Sequence, residues 1–213
     1  MQIQLADHVA EVLACRKCAG MIGPVVTSRP SVGKVYLVGQ APGPHEGKFG
    51  QPFAWTAGKT MFNWFATLGV DEETFRSRVF MAAVCRCFPG KASGGGDRVP
   101  ARDEIEACSG WMRREIELLK PALIVPVGRL AIEQFLEPAP LAELIGKVHR
   151  TRAFDHECDL IPLPHPSGAS TWFKTEPGIT LLKKALKLLG KHPAWGDVQN
   201  SSREDAKAQR RDQ

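Results

Sequence analysis

Residues 35–43 read Val35-Tyr36-Leu37-Val38-Gly39-Gln40-Ala41-Pro42-Gly43. An apolar run of strand length stops abruptly at a glycine- and proline-bearing loop. The run shows no polar alternation, which is the pattern of a strand covered on both faces. Three more runs of this kind follow, at Val79–Val84, Leu123–Val127 and Leu160–Leu163. Helical patterns separate them. Residues 59–68 follow the first loop. Residues 101–119 start after Pro100 and stop before Pro121, and they place Ile105, Cys108, Met112, Ile116 and Leu119 on one face. Residues 130–135 form a short helical pattern and residues 143–145 a weaker one. Residues 5–14 lead into Cys15. Residues 178–189 turn Leu182, Leu186 and Leu189 inward and Lys183, Lys184, Lys187 and Lys191 outward. Strands alternating with helices predict the α/β class, as a three-layer α/β/α sandwich with a central four-stranded parallel sheet. Loops at the carboxyl ends of such strands face a shared crevice, where open α/β sheets bind ligands.

Working outward, the chain has 213 residues, of which 43% are hydrophobic. That suffices for one full core, and the expected domain is residues 1–195. Residues 196–213 are polar and nearly free of large apolar side chains, so a disordered tail is expected there. Residues 91–99, KASGGGDRV, read as a flexible loop. No apolar run approaches the roughly 18 residues of a helical membrane span. The first residues lack the apolar segment of a signal peptide. A cytoplasmic monomer is the expectation. The net charge is +5, which suits a polyanionic partner without requiring one.

The six cysteines carry the second signal. Cys15-Arg16-Lys17-Cys18 is a CxxC pair, and Cys85, Cys87, Cys108 and Cys158 follow. In a chain of this kind such cysteines point to metal rather than to disulfides. A close pair plus two distant thiolates can close one four-sulfur site, for zinc or for an iron–sulfur cluster, and spacing alone does not choose between them. Cys85 and Cys87 lie two residues apart, so in extended backbone both face the same way.

A second loop follows the last apolar run: His165-Pro166-Ser167-Gly168-Ala169-Ser170. Taken with Gly39–Gly43, Gly50-Gln51-Pro52-Phe53 and Ala57-Gly58, it resembles the paired active-site motifs of the uracil-DNA glycosylase superfamily. The first loop is most similar to the iron–sulfur branch called family 4. The resemblance covers about residues 12–189. It implies a monofunctional glycosylase that flips uracil out of DNA and hydrolyses its N-glycosidic bond, leaving an abasic site for base excision repair.

The resemblance also implies roles. Phe53 stacks on the flipped base, beside the Gly39, Ala41, Pro42 and Gly43 backbone. His165 meets the negative charge that develops on the leaving uracil. Ser167 and Ser170 hold phosphate, and Ala169 or Trp172 wedges into the duplex. The cluster is a [4Fe-4S] group on Cys15, Cys18, Cys87 and Cys108, with structural zinc as the alternative. Arg86-Cys87-Phe88-Pro89 resembles the family's Lys-Cys-Arg-Pro segment, and Cys85 and Cys158 are then ordinary buried thiols.

Two departures stand out. Gln40 occupies the place of a family glutamate, and an amide orients water or contacts the base without accepting a proton. Met81-Ala82-Ala83-Val84 carries no asparagine to read the base edge. Glu46 or His45 is a further group that places water. Two other readings stay open: a glycosylase for hypoxanthine, xanthine or thymine, and a cluster- or zinc-stabilised nucleic-acid-binding protein with little catalysis.

Overall fold

The computed structural model describes residues 1–200. The elements run α1 (Gln2–Leu13), β1 (Val35–Gly39), α2 (Glu46–Phe49), α3 (Thr56–Ala66), α4 (Glu72–Arg78), β2 (Phe80–Ala83), α5 (Arg102–Leu119), β3 (Leu123–Pro126), α6 (Arg129–Ile132), α7 (Leu141–Leu144), β4 (His149–Ala153), β5 (His156–Leu160) and α8 (Gly178–Lys191), with a 3₁₀ turn at Trp172–Lys174 before α8. The α/β class and the sandwich hold. The sheet has five strands rather than four, in the order β2-β1-β3-β5-β4. β2, β1, β3 and β5 are parallel, and β4 pairs antiparallel with β5 through the tight turn at residues 154–155.

β4 escapes the sequence reading because it is a charged edge. Its residues His149-Arg150-Thr151-Arg152-Ala153 alternate between partly buried and exposed. Arg150 reaches across to Asp159 at 3.1 Å and to Glu157 at 3.5 Å. Charge on an edge strand keeps it from pairing with other chains. The last predicted strand also shifts. β5 ends at Leu160, and its parallel course continues to Leu163, whose N–H donates to the Pro126 carbonyl at 2.9 Å.

Side-chain alternation along β1 divides the interior in two. Val35 and Leu37 join one apolar cluster with Met61, Phe65, Phe75 and Leu182, from α3, α4 and α8. Tyr36 and Val38 join the other with Leu5, Val9, Met112 and Ile116, from α1 and α5. All residues of β1, β2 and β3 are buried, as strands with helices on both faces must be. At about 25 cal/mol per Å² of apolar area removed from water, this double burial is the main favourable term holding the sandwich together.

The chain past α8 corrects the expected domain end. Residues 193–200 are helical. Trp195 and Val198, three apart and so on one face, are buried in the first cluster, and Gln199 Nε2 donates to the Leu68 carbonyl. Core packing thus extends into the first residues of the expected tail, and residues 201–213 lie outside the described residues. Residues 91–99 are a hairpin rather than a slack loop, with Lys91 bridged to Asp97 and Arg98 N–H donating to the Gly90 carbonyl at 3.0 Å. Gly95 and Gly96, both at positive φ, make the turn. Among the described residues no helix is long and apolar enough to cross a membrane.

The topology fixes where a ligand can sit. β1 leads to α3 and α4 on one face, while β2 and β3 lead to α5 and α6 on the other. The strand order thus reverses between β1 and β3, and the loops beyond their carboxyl ends diverge around a crevice.

Candidate active site

A cleft of about 600 Å³ lies over that crevice, within the size range of small-ligand sites. The loop after β1 forms one wall with Gly39, Gln40, Ala41, Pro42 and Gly43. His165 and Ser167 from the loop after β5 form another, and Phe53 closes a third. Ala82 and Ala83, at the end of β2, form the floor. The expected site residues therefore meet in one place, with one exception. Ser170 is not in the wall; its N–H closes the turn by donating to the Ser167 carbonyl at 3.0 Å. Trp172 packs against the first core cluster, which does not suit a wedge, while Ala169 is exposed at the rim of the cleft.

Phe53 is held with unusual strictness. Its backbone has φ of 53°, the left-handed region that costs a bulky residue of order 1–3 kcal/mol. Arg76 on α4 offsets that cost: Nη1 donates to the Pro52 carbonyl at 2.9 Å and Nη2 to the Phe53 carbonyl at 3.1 Å. Two glycines make the room. A Cβ on Gly39 would lie 2.7 Å from Phe53 Cζ, and one on Gly58 would fall on the Phe53 carbonyl. Arg76 has no motif signal in the sequence, because it acts only through the backbone of a distant loop.

His165 is oriented as a donor. Ser167 N–H donates to its Nδ1 at 3.3 Å, so a neutral ring carries its proton on Nε2. Burial holds the imidazole below its ordinary value, with Asp97 acting in the opposite direction. The ring is thus neutral at pH 7 and presents one N–H. Gly128, at φ of 89°, makes space for it, since a Cβ there would come within 2.9 Å of Cδ2.

The remaining polar groups divide by what they bind. Glu46 is buried and accepts from Gly43 N–H at 3.0 Å, so it shapes the first loop. Among the described residues Gln40 supplies the one side-chain amide of the cleft wall. His45 and Trp55 stack with centroids 4.3 Å apart, and Phe49 lies 6.1 Å from Trp55. Phe49 and Trp55 are exposed at the rim. The aromatic spacing of residues 49–55 signals this platform, which sequence reasoning passed over.

A second cavity, of about 180 Å³, is lined by Cys15, Cys18, Cys85, Cys87 and Cys108. The four expected ligands are brought together, and Cys85 joins them against expectation. Cys158 is a buried core thiol between the sheet and α5, as expected. None of the six is in a disulfide. Among the described residues no three His, Cys, Asp or Glu side chains converge tightly enough to hold one metal ion. Cys85 and Cys108 both face this cavity, and their mutual interaction raises the Cys85 thiol and lowers that of Cys108 despite its burial, with Arg86 adding to the drop.

Arg86 ties this cavity to the core. Its Nη2 donates to Glu115 at 2.6 Å, and Glu115 also accepts from Tyr36 at 2.5 Å and pairs with His8 at 3.4 Å. Burial pushes the Glu115 carboxyl up, but Arg86, His8 and Tyr36 outweigh it and hold it below the ordinary range. Arg86 Nε and Nη1 are buried without a partner among the described residues. Glu115→Leu therefore leaves the guanidinium with no counter-charge, and we expect a loss of about 3–5 kcal/mol in urea unfolding. Pairing that change with Arg86→Met should recover most of the loss.

Comparison with known proteins gives a consistent result. A family model described as "Uracil DNA glycosylase superfamily" matches residues 28–190. The chain is 30% identical over 172 residues to a protein named type-4 uracil-DNA glycosylase from Archaeoglobus fulgidus, covering 76% of this chain and 81% of that one. It is 30% identical over 169 residues to the type-4 uracil-DNA glycosylase of Sulfurisphaera tokodaii, covering 75% and 72%. A type-5 uracil-DNA glycosylase from Pyrobaculum aerophilum is 29% identical over 134 residues, covering 58% of this chain and 53% of that protein.

Proposed function

The chain belongs to the uracil-DNA glycosylase superfamily, and we propose that it is a glycosylase that hydrolyses the bond between uracil and deoxyribose in DNA. The observation that carries this is the convergence of Phe53, the Gln40–Gly43 backbone and the Nε2–H of His165 in one cleft. A flipped base needs a flat apolar face to stack on, polar groups at its edge and a donor aimed at the leaving anion. Phe53, the first loop and His165 supply these in turn. The exposed Trp55 and Phe49 suit stacking against neighbouring bases, and the basic balance of the chain suits phosphate.

The fit of the base is steric as much as polar. Ala82 and Ala83 put methyl groups where an amide would read the base edge, so recognition falls to Gln40 and to backbone groups. A uracil-containing oligonucleotide, cleaved with alkali after incubation, tests the activity. Parallel substrates with hypoxanthine, xanthine or thymine test the base. Excision of uracil ahead of the others is expected; faster loss of hypoxanthine would overturn the assigned substrate, and no excision at all would leave a binding protein.

The cysteine cavity fits an iron–sulfur cluster better than one zinc ion. A tetrahedral zinc draws its sulfurs to about 3.8 Å from one another, given bonds of about 2.3 Å, and the thiols here do not converge on one point. Cys15, Cys18, Cys87 and Cys108 would hold a [4Fe-4S] cluster, which when bound would cross-link the N-terminal CxxC segment to the segment after β2 and to α5. The unpartnered N–H groups of Arg86 suit the negative charge of thiolate ligands.

One substitution separates placement of the base from chemistry. Gly39→Ala drives the Phe53 ring from its position, and we expect single-turnover excision to fall by roughly tenfold or more, the scale of misplacements near 1 Å. Melting temperature should change little, which differential scanning fluorimetry would check.

A further inference from the structure

We propose that Asp97, carried into the cleft by the hairpin of residues 90–98, is the carboxylate that positions the attacking water. This deepens the glycosylase reading and rests on it. Hydrolysis of an N-glycosidic bond is favoured by an anionic group near C1′, which offsets the cationic character of the sugar and holds water for attack. Gln40 carries no charge and accepts no proton from water. Two carboxylates line the cleft, Glu46 and Asp97. Glu46 is buried, and its Oε2 is held by the Gly43 N–H, which makes it a brace of the first loop, whereas Asp97 is exposed.

Asp97 is placed differently. Its Oδ1 accepts from Lys91 Nζ at 2.7 Å. Its Oδ2 stands on the other side, 3.4 Å from where a Cβ on Gly43 would lie, with no hydrogen-bond partner among the described residues. Its charge acts on the His165 ring across the cleft. Asp97 and His165 therefore flank the same space from opposite walls, one as acceptor and one as donor.

The hairpin is built to keep it there. Arg98, the next residue, donates to both oxygens of Glu104 on α5, at 2.7 and 2.6 Å. Glu104 Oε2 also accepts from Ala101 N–H at 2.7 Å. Ala92 N–H donates to the Gly96 carbonyl at 3.1 Å, which closes the tip. The Lys91 pair engages Oδ1 and leaves Oδ2 uncovered.

In the step itself the bond from C1′ to the base nitrogen breaks, and its electron pair leaves on uracil, whose oxygen accepts a hydrogen bond from the Nε2–H of His165, which keeps its proton. The oxygen of a water held by Asp97 bonds to C1′. A proton of that water passes to Asp97 and then to the departing base. The products are neutral uracil and a deoxyribose with a hydroxyl at C1′.

The test is single-turnover excision from a uracil-containing oligonucleotide by the full-length protein and by Asp97→Asn. A second measurement is the affinity of each for an oligonucleotide with 2′-fluoro-2′-deoxyuridine, whose glycosidic bond resists cleavage. We expect excision to slow by about 10²-fold, within the range of a lost acid–base group, and the analogue's Kd to stay within threefold. An Asp97→Asn rate within threefold of the parent would overturn the assignment. So would a rate that falls only in step with analogue affinity, which would make Asp97 a brace of the hairpin. A parent protein that binds the analogue but excises no uracil would overturn the glycosylase reading, and this one with it.

Discussion

Replacing His165 with alanine is expected to slow uracil excision by roughly 10²–10³-fold, the effect of removing one donor from a developing anion. The expectation follows from how the ring is held. Ser167 N–H occupies Nδ1, so the proton faces the cleft from Nε2. Burial disfavours the charged ring, so the donor is neutral and fixed before the base arrives. Losing a group that gains its full value only as the bond breaks lowers kcat rather than affinity. The variant should therefore bind a non-cleavable uracil oligonucleotide as the parent does. His165→Asn, which keeps an N–H on a shorter side chain, should fall between the two. A His165→Ala rate equal to the parent's would remove this residue from the chemistry.

Loss of a cluster ligand should have the larger structural effect. Cys18→Ala or Cys87→Ala is expected to abolish bound iron and most soluble protein. Structural metal sites contribute on the order of 10 kcal/mol to folding, against a total stability of about 5–15 kcal/mol for a domain. As ligands of the proposed cluster, Cys15 and Cys18 would anchor the chain between α1 and β1, a stretch with little regular structure of its own. Cys85→Ala separates the two candidates for the third ligand. Cys85 is fully buried, whereas Cys87 is partly exposed on the cavity wall. Iron and sulfide content should survive Cys85→Ala and fail in Cys87→Ala; the reverse would exchange their roles.

The parts of this fold visible in the sequence are those whose burial is uniform. β1, β2 and β3 are buried at every residue and read as unbroken apolar runs. β4 is invisible because His149–Ala153 buries only alternate residues and defends an edge with arginines. The helix beyond residue 193 hides for a related reason: Ala194, Trp195 and Val198 pack into the core while polar residues lie among them. In the site, the glycine and proline loops are legible because their backbone geometry demands those residues. Arg76 and Asp97 are not. Each acts from a segment with no motif: Arg76 clamps the Pro52 and Phe53 carbonyls, and Asp97 reaches the cleft on a hairpin.

The hairpin of residues 90–98 has a consequence for how such a cleft diversifies. Both its ends are pinned, by the Gly90–Arg98 hydrogen bond and by the Arg98–Glu104 pair. Loop-closure cost grows only with the logarithm of length, about 0.6 kcal/mol per doubling. Residues can be added or exchanged at its tip without disturbing β1 or β5. Phe53 has no such latitude, since Gly39, Gly58 and Arg76 leave its ring one position. The cleft thus pairs an invariable bed for the base with an interchangeable wall. New substrates or leaving-group chemistry can be acquired at that wall by drift in a surface loop, while the sheet beneath continues to fold as before.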